Sequence, residues 1–271
     1  MAHGQNDFAQ AWKQVEALES KGLTKQALDT VEAIYTKAQS QEKTQQRIKA
    51  LLYKSKYLQT LEANSQSKII KLVKNEIKSS EIVTQRILEN IYATMLWQYY
   101  QQNRHRFLKR SVKESHFNLS PTDDFKQWDL QTLLYQIHTY YQRSLTSAKE
   151  LQNTPLTHYS LLLSENKAST SIRPTLYDLL SHNALEFYTS KENSIIKPAY
   201  KFQLNDAKFL ATSQEFIRLP LAAKDSLSLQ FQALKIYQKL LKFHEKSNDK
   251  EAYVTINIER LNYTYTHSII N

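Results

Sequence analysis

The 271-residue chain holds only 2 Gly, 5 Pro and no Cys, where average usage would supply about 19 Gly and 14 Pro. So little glycine argues against phosphate-cradling loops, dinucleotide folds and hairpin-rich β architectures, which need positive φ or close backbone approach; the missing Cys excludes disulfides, thiolate zinc sites and a cysteine nucleophile. The 36 Lys and Arg against 26 Asp and Glu leave a formal charge of +10, which admits nucleic acid, an anionic membrane surface or an acidic partner without choosing among them.

Met1-Ala2-His3-Gly4 reads as an expression leader, since small residues stand directly before a polar helix onset. Phe8, Ala11, Trp12, Val15 and Leu18 then recur on one face of a helix from about Asp7 to Lys21. Gly22 ends it, and Thr24 is a natural N-cap for a second helix with the stripe Ala27, Leu28, Val31, Ile34, Tyr35 and Ala38. A turn this short makes the two helices antiparallel. Ile48, Leu51, Leu52, Ser55 and Leu58 predict a third helix, and Ile69, Leu72, Val73 and Ile77 a fourth. A fifth, roughly Thr84 to Gln102, carries Ile87, Leu88, Ile91, Met95, Leu96 and Tyr99. Its partner runs through Leu130, Leu133, Leu134, Ile137, Tyr141, Leu145 and Ala148, and later helices begin near Arg173, Asp225 and Lys250. Strand-like alternation is almost absent. No apolar run approaches the roughly 18 residues of a spanning helix, and no signal-peptide core is present, so no transmembrane segment is expected in this chain.

Helix starts near Asp7, Gln46 and Val83 imply a two-helix unit of about 37 to 39 residues, close to the ~34 of a tetratricopeptide unit. The first unit is similar to such a repeat: Gly22, Ala27, Val31 and Ile34 fit the spacing that lets paired helices approach, and Trp12 stands where the first helix is bulky. The predicted fold is all-α, with antiparallel helix pairs in an irregular tetratricopeptide-like solenoid. It forms one helical-repeat domain over residues 5–271, with insertions near 104–128 and 194–224. The second insertion, around Pro198 and Pro220, is expected to be extended and to offer a short edge pairing.

Few residues suggest chemistry. Asp178, His182 and Glu186 stand four apart on one predicted helix and share a face, and a carboxylate beside a histidine serves base catalysis or metal ligation. A solvated or hydrogen-bonded structural ladder is the favoured reading, because no second ligand cluster accompanies them. His116 with Asp123 and Asp124 is weaker, lacking ligand periodicity. No G-x-S-x-G elbow, H-E-x-x-H pair or P-loop exists. No catalytic residue, metal or cofactor is therefore assigned. For binding, Arg104, Arg106, Lys109, Arg110 and Lys113 form an acid-free cluster beside Tyr99, Tyr100 and Phe107, a composition able to grip phosphates and stack bases. The competing reading is a solvated helix end. Trp97, Tyr99 and Tyr100, or Tyr263 and Tyr265, could line a peptide groove, although aromatics in such a chain chiefly fill space between helices.

Several long phrases carry a family resemblance: WKQVEALESKGLTKQAL (residues 12 to 28), KALLYKSKYLQTLE (49 to 62), MLWQYYQQNRHRF (95 to 107), DDFKQWDLQTL (123 to 133), RPTLYDLLSHNALEFY (173 to 188), KPAYKFQL (197 to 204) and DSLSLQFQALKIYQKLLKFH (225 to 244). Together they resemble the helical N-terminal region of large bacterial alpha-2-macroglobulin family proteins. The resemblance implies an exported protein, periplasmic or associated with the outer membrane or cell surface, whose downstream macroglobulin domains entrap proteases. It implies a non-catalytic docking domain whose partner is those domains or an envelope protein. The family's thioester needs a Cys-Gly-x-Gln element, which this chain lacks, so no reactive residue carries over. A free-standing basic helical-repeat adaptor for nucleic acid or an acidic peptide is the alternative, with nucleic acid disfavoured for want of a reading motif; an enzyme built around His182 comes third.

Overall fold

In the computed structural model, residues 2–109, 122, 124–163, 168–190, 202–247 and 249–269 are described. Their secondary structure is all-helical. No strand occurs among them, and the only β pairings are isolated bridges of Pro155 with Thr175 and of Leu204 with Ser268. The chain divides into two compact units: Met1–Leu88 with Thr122–Gln127 and Tyr159–Glu165, and Glu89–Pro121 with Trp128–His158 and Asn166–Asn271.

In the first unit, helices α1 (Ala2–Ser20), α2 (Thr24–Ser40), α3 (Thr44–Leu61) and α4 (Ser65–Ser79) follow one another with short turns. Two of these turns share a mechanism. Gly22 has φ +71, its N–H donates to Glu19 O, and the Leu23 N–H donates to Leu18 O. These two hydrogen bonds satisfy the last carbonyls of α1. Glu42 repeats the arrangement at φ +55, where the Glu42 and Lys43 N–H groups donate to Gln39 O and Ala38 O. Thr24, expected as an N-cap, is instead the first residue of α2; Leu23 holds the cap position and supplies no side-chain bond. The Schellman-type turn already fixes the entry of the chain into α2, which explains why a hydroxyl cap is dispensable.

The core of this unit joins Phe8, Trp12 and Val15 of α1 to Ala27, Val31, Ile34 and Ala38 of α2 and Ala50 and Tyr57 of α3. Small side chains at Ala27, Ala38 and Ala50, all wholly buried, let the helices approach closely. Polar pairs record how they run. Lys37 of α2 meets Asp7 of α1, so these two are antiparallel. Trp12 donates to Gln46 while Glu19 meets Lys56 and Tyr57, so α1 and α3 run the same way. Glu76 of α4, itself buried, accepts from the Tyr35 hydroxyl of α2 and pairs with Arg47 of α3.

Helix α5 (Ile82–Lys109) contributes residues up to Leu88 to the first unit and from Glu89 onward to the second. It is seven residues longer at its end than Gln102, and Arg104 to Lys109, expected to open an insertion, continue it. The second unit adds α6 (Leu130–Ser144), α7 (Ala148–Gln152), α8 (Ala168–Ile172), α9 (Leu176–Tyr188), α10 (Ser213–Arg218), α11 (Leu229–His244) and α12 (Lys250–His267). Among these, α9 and α12 each pack on α11, α7 on α9, and α8 on α12. Helix starts are capped by side chains: Asp129 for α6, Thr175 with Asp178 for α9, Thr212 with Glu215 for α10 and Ser228 for α11. Within the expected second insertion, residues 191–201 lie outside the described ones. Beyond them, Leu204 makes its single bridge, followed by the short helices Ala207–Leu210 and α10.

The interior of this unit is aromatic. Trp97 stacks on Tyr100 with centroids 5.3 Å apart and meets Phe187 edge-on at 5.1 Å, and Phe187 stacks on Tyr141 at 5.7 Å. A buried amide crosses it: Asn90 of α5 donates to Ser144 Oγ at 3.1 Å and to Leu180 O at 3.0 Å, and accepts from Asn183 at 2.8 Å. Three helices thereby share one satisfied side chain.

Candidate functional site

The expected ladder Asp178, His182, Glu186 lies on α9, but the structure does not bring its three side chains together. Asp178 is wholly buried, His182 is buried and Glu186 is exposed. One oxygen of Asp178, Oδ2, accepts from the Thr175 N–H at 3.0 Å and from the Thr175 hydroxyl at 2.7 Å, closing the capping box of α9. The other, Oδ1, lies 2.7 Å from His244 Nε2 at the end of α11, and neither side chain retains any exposed area. His244 Nδ1 faces Ser247 Oγ at 3.1 Å. The carboxylate thus satisfies the first turn of one helix and fixes the last turn of another.

His182 takes a different partner. Its Nδ1 lies 2.7 Å from the Asp178 backbone carbonyl, one helical turn earlier, which makes Nδ1 the protonated nitrogen. Its Nε2 lies 3.2 Å from Glu259 Oε2 on α12. Burial by itself raises the Glu259 carboxyl, but the hydrogen bond and charge of His182, with the charge of Arg173, outweigh it and leave the group below the usual carboxylate range. Two histidine–carboxylate pairs therefore join α9 to α11 and α9 to α12.

Chemically the arrangement contains the order Asp178, His244, Ser247, the residue types of an acyl-transfer triad. Its surroundings give it another task. The Ser247 hydroxyl lies 3.3 Å from the His244 backbone carbonyl, its oxygen accepts from the Asp249 N–H at 3.2 Å, and it sits in the turn between α11 and α12. All the polar atoms of this set are engaged in tying helix ends. Among the described residues no group of three or more His, Cys, Asp and Glu is placed to hold a metal ion.

A buried cation accompanies this network. Arg260 of α12 has no exposed area; its Nη1 donates to the carbonyls of Phe209 and Ala211 at 3.0 Å each, its Nη2 to Asn257 Oδ1 at 2.6 Å, and the guanidinium lies 4.6 Å from the Phe216 ring centroid. Burial pushes this guanidinium down to about 10. Sequence reasoning counted Arg260 only within the basic surplus. The i, i+3 relation to Asn257 was visible, but the carbonyls it serves lie 49 and 51 residues away.

The basic cluster is also rearranged. Arg104 and Arg106 are exposed on α5, whereas Tyr99, Tyr100 and Phe107 are buried and pack on one another with Trp97. The rings expected to stack bases belong to the core. The Lys109 side chain, together with Arg110, Lys113, His116 and Asp123, lies outside the described residues. Asp124 caps a single turn, accepting from the Lys126 N–H and the Gln127 amide. Of the aromatics considered for a groove, Trp97 and Tyr263 are buried and Tyr265 is 75% exposed.

No helix of the described residues is long and apolar enough to cross a membrane. No family model matches the chain, nor does any of the curated proteins or solved structures with which it was compared.

Proposed function

We propose that the chain is a non-catalytic helical docking domain, the N-terminal part of an exported alpha-2-macroglobulin-like protease-trapping protein, built on tetratricopeptide-like helix pairs. The observation that carries the non-catalytic part is the use made of Asp178, His182 and His244: each is buried and committed to helix-joining bonds. For the repeat character, the support is the alternation of α1 to α4, with α1 antiparallel to α2 and parallel to α3, and the recurrence of one turn type at Gly22 and Glu42. Arrays of this kind present side chains of alternate helices along one surface. Here Lys49 lies 4.3 Å above the buried Trp12 ring and Lys56 5.5 Å above the half-buried Tyr53 ring, so α1 and α3 present these cations over a largely buried aromatic layer to a protein segment. Burial lowers the Lys49 ammonium, partly offset by the charge of Glu16. The long phrases quoted above support the macroglobulin assignment, and with it the periplasmic or cell-surface location. Reading the complete gene product tests that assignment: a β-rich continuation containing Cys-Gly-x-Gln is expected, and a frame without one contradicts it. Salt-sensitive binding of a random oligonucleotide would favour the basic-adaptor alternative instead.

A further inference from the structure

We infer that the outward face of α12 is a self-association surface, which pairs antiparallel with α12 of a second copy of this chain. The inward face of this helix is formed by Ala252, Ile256, Arg260 and Tyr263, all buried. Its outward face carries Val254, Ile258 and Tyr265, which are 54%, 52% and 75% exposed, with half-buried Leu261 between them. The steps of 4, 3 and 4 residues are those of the a and d positions of a heptad. Single exposed apolar residues are ordinary, but a continuous seam marks an interaction surface.

The seam is symmetric about the midpoint between Glu259 and Arg260. A two-fold axis at that point sets Val254 opposite Tyr265 of the second copy and Ile258 opposite Leu261, so every layer pairs a d position with an a position, as antiparallel helices require. Shapes match as well, the largest side chain meeting the smallest. Charge permits the same register. The residues flanking the seam, Thr255, Asn257 and Asn262, are neutral, and the axis places Lys250 against Ile269 and Glu251 against Ser268. Glu259 and Arg260 point inward to His182 and to backbone carbonyls. Two copies, each with a net charge of +10, thus meet where no like charges are apposed, and the face offers no counter-charge to a nucleic acid or a charged peptide.

A seam of one helix per copy lies at the low end of specific interface sizes, about 1,000 Å². A reversible dimer with a Kd of about the micromolar range is expected. Sedimentation velocity on the full chain between about 1 and 200 μM reads it, spanning that range. Ile258→Glu, at an exposed position and with an unchanged helical circular dichroism spectrum, should weaken association at least about tenfold, equivalent to about 1.4 kcal/mol. Because the chain has no Cys, single substitutions report orientation. Val254→Cys mixed with Tyr265→Cys should form a disulfide-linked dimer on mild oxidation, while neither variant alone does so. A chain that stays monomeric throughout, a dimer indifferent to Ile258→Glu, or Val254→Cys linking to itself in place of the mixed pair would each overturn the inference.

Discussion

Gly22 and Glu42 occupy the same backbone conformation at the ends of successive helices, yet only one of them is glycine. Nothing lies within 4 Å of a Cβ added at Gly22, so the cost of Gly22→Ala is conformational alone. It should be about 1 kcal/mol by urea unfolding, the penalty of a side chain at positive φ. Glu42→Gly should stabilise by up to about 1 kcal/mol, since it removes that same penalty. A second residue-scale prediction concerns pH. His138 Nδ1 lies 2.9 Å from the Tyr188 hydroxyl, which also accepts from Gln142. Burial, with the nearby charge of Lys235, pushes this imidazole from its ordinary 6.5 down to about 4. The unfolded chain therefore binds a proton before the folded chain does. The stabilising contribution of neutral His138 is complete above about pH 6.5 and is lost as pH falls towards about 4, amounting to roughly 2–4 kcal/mol in total. His138→Gln should flatten the fall in urea midpoint across that window; an equally steep fall in the variant would place its source elsewhere.

At the scale of elements, buried polar groups fix which helix meets which. Asp178→Ala should cost about 3–5 kcal/mol, because it removes the cap of α9 and leaves His244 without its carboxylate. In a double-mutant cycle with His244→Ala, the coupling free energy should reach about 2 kcal/mol; coupling near zero would mean the contact contributes nothing. These pairs also mark the boundary of what could be read in advance. The main faces of α1 to α4 were legible because each buries a clear stripe, as Val15, Val31, Leu51 and Val73 show, although α3 also buries Ala50 and Tyr57 on its other side, which its stripe did not include. Helix α5 was less so. Its expected stripe included Ile91 and Met95, which are only half-buried, and omitted Tyr92, Ala93, Trp97 and Tyr100, which are buried. A helix covered on several sides has no single stripe for periodicity to find. The ladder on α9 failed for a related reason. Four-residue spacing puts Asp178, His182 and Glu186 on one side of α9 without saying which of them is covered, and it says nothing about partners on another helix. His244 stands 66 residues from Asp178, and Glu259 belongs to a helix whose sequence carries no mark of the pairing.

Across the whole molecule, scarce glycine and absent cysteine have a structural counterpart. Among the described residues the chain is helical, and Gly22 serves a positive-φ turn. The charge of +10 does not by itself mark a site: Arg260 is buried among carbonyls, Arg47 pairs with Glu76, and Arg104 and Arg106 are exposed while Tyr99, Tyr100 and Phe107 lie in the core. In this helical body Asp178, His182, His244 and Glu259 tie helices together, and docking in place of catalysis is the proposal that this use of them supports. Calorimetric titration of the intact chain with the remaining domains of its full-length gene product tests that account most directly. Saturable one-to-one binding is predicted, with a Kd well below about 100 μM. No binding at that concentration, together with a turnover abolished by His182→Ala in a chain that still folds, would contradict it.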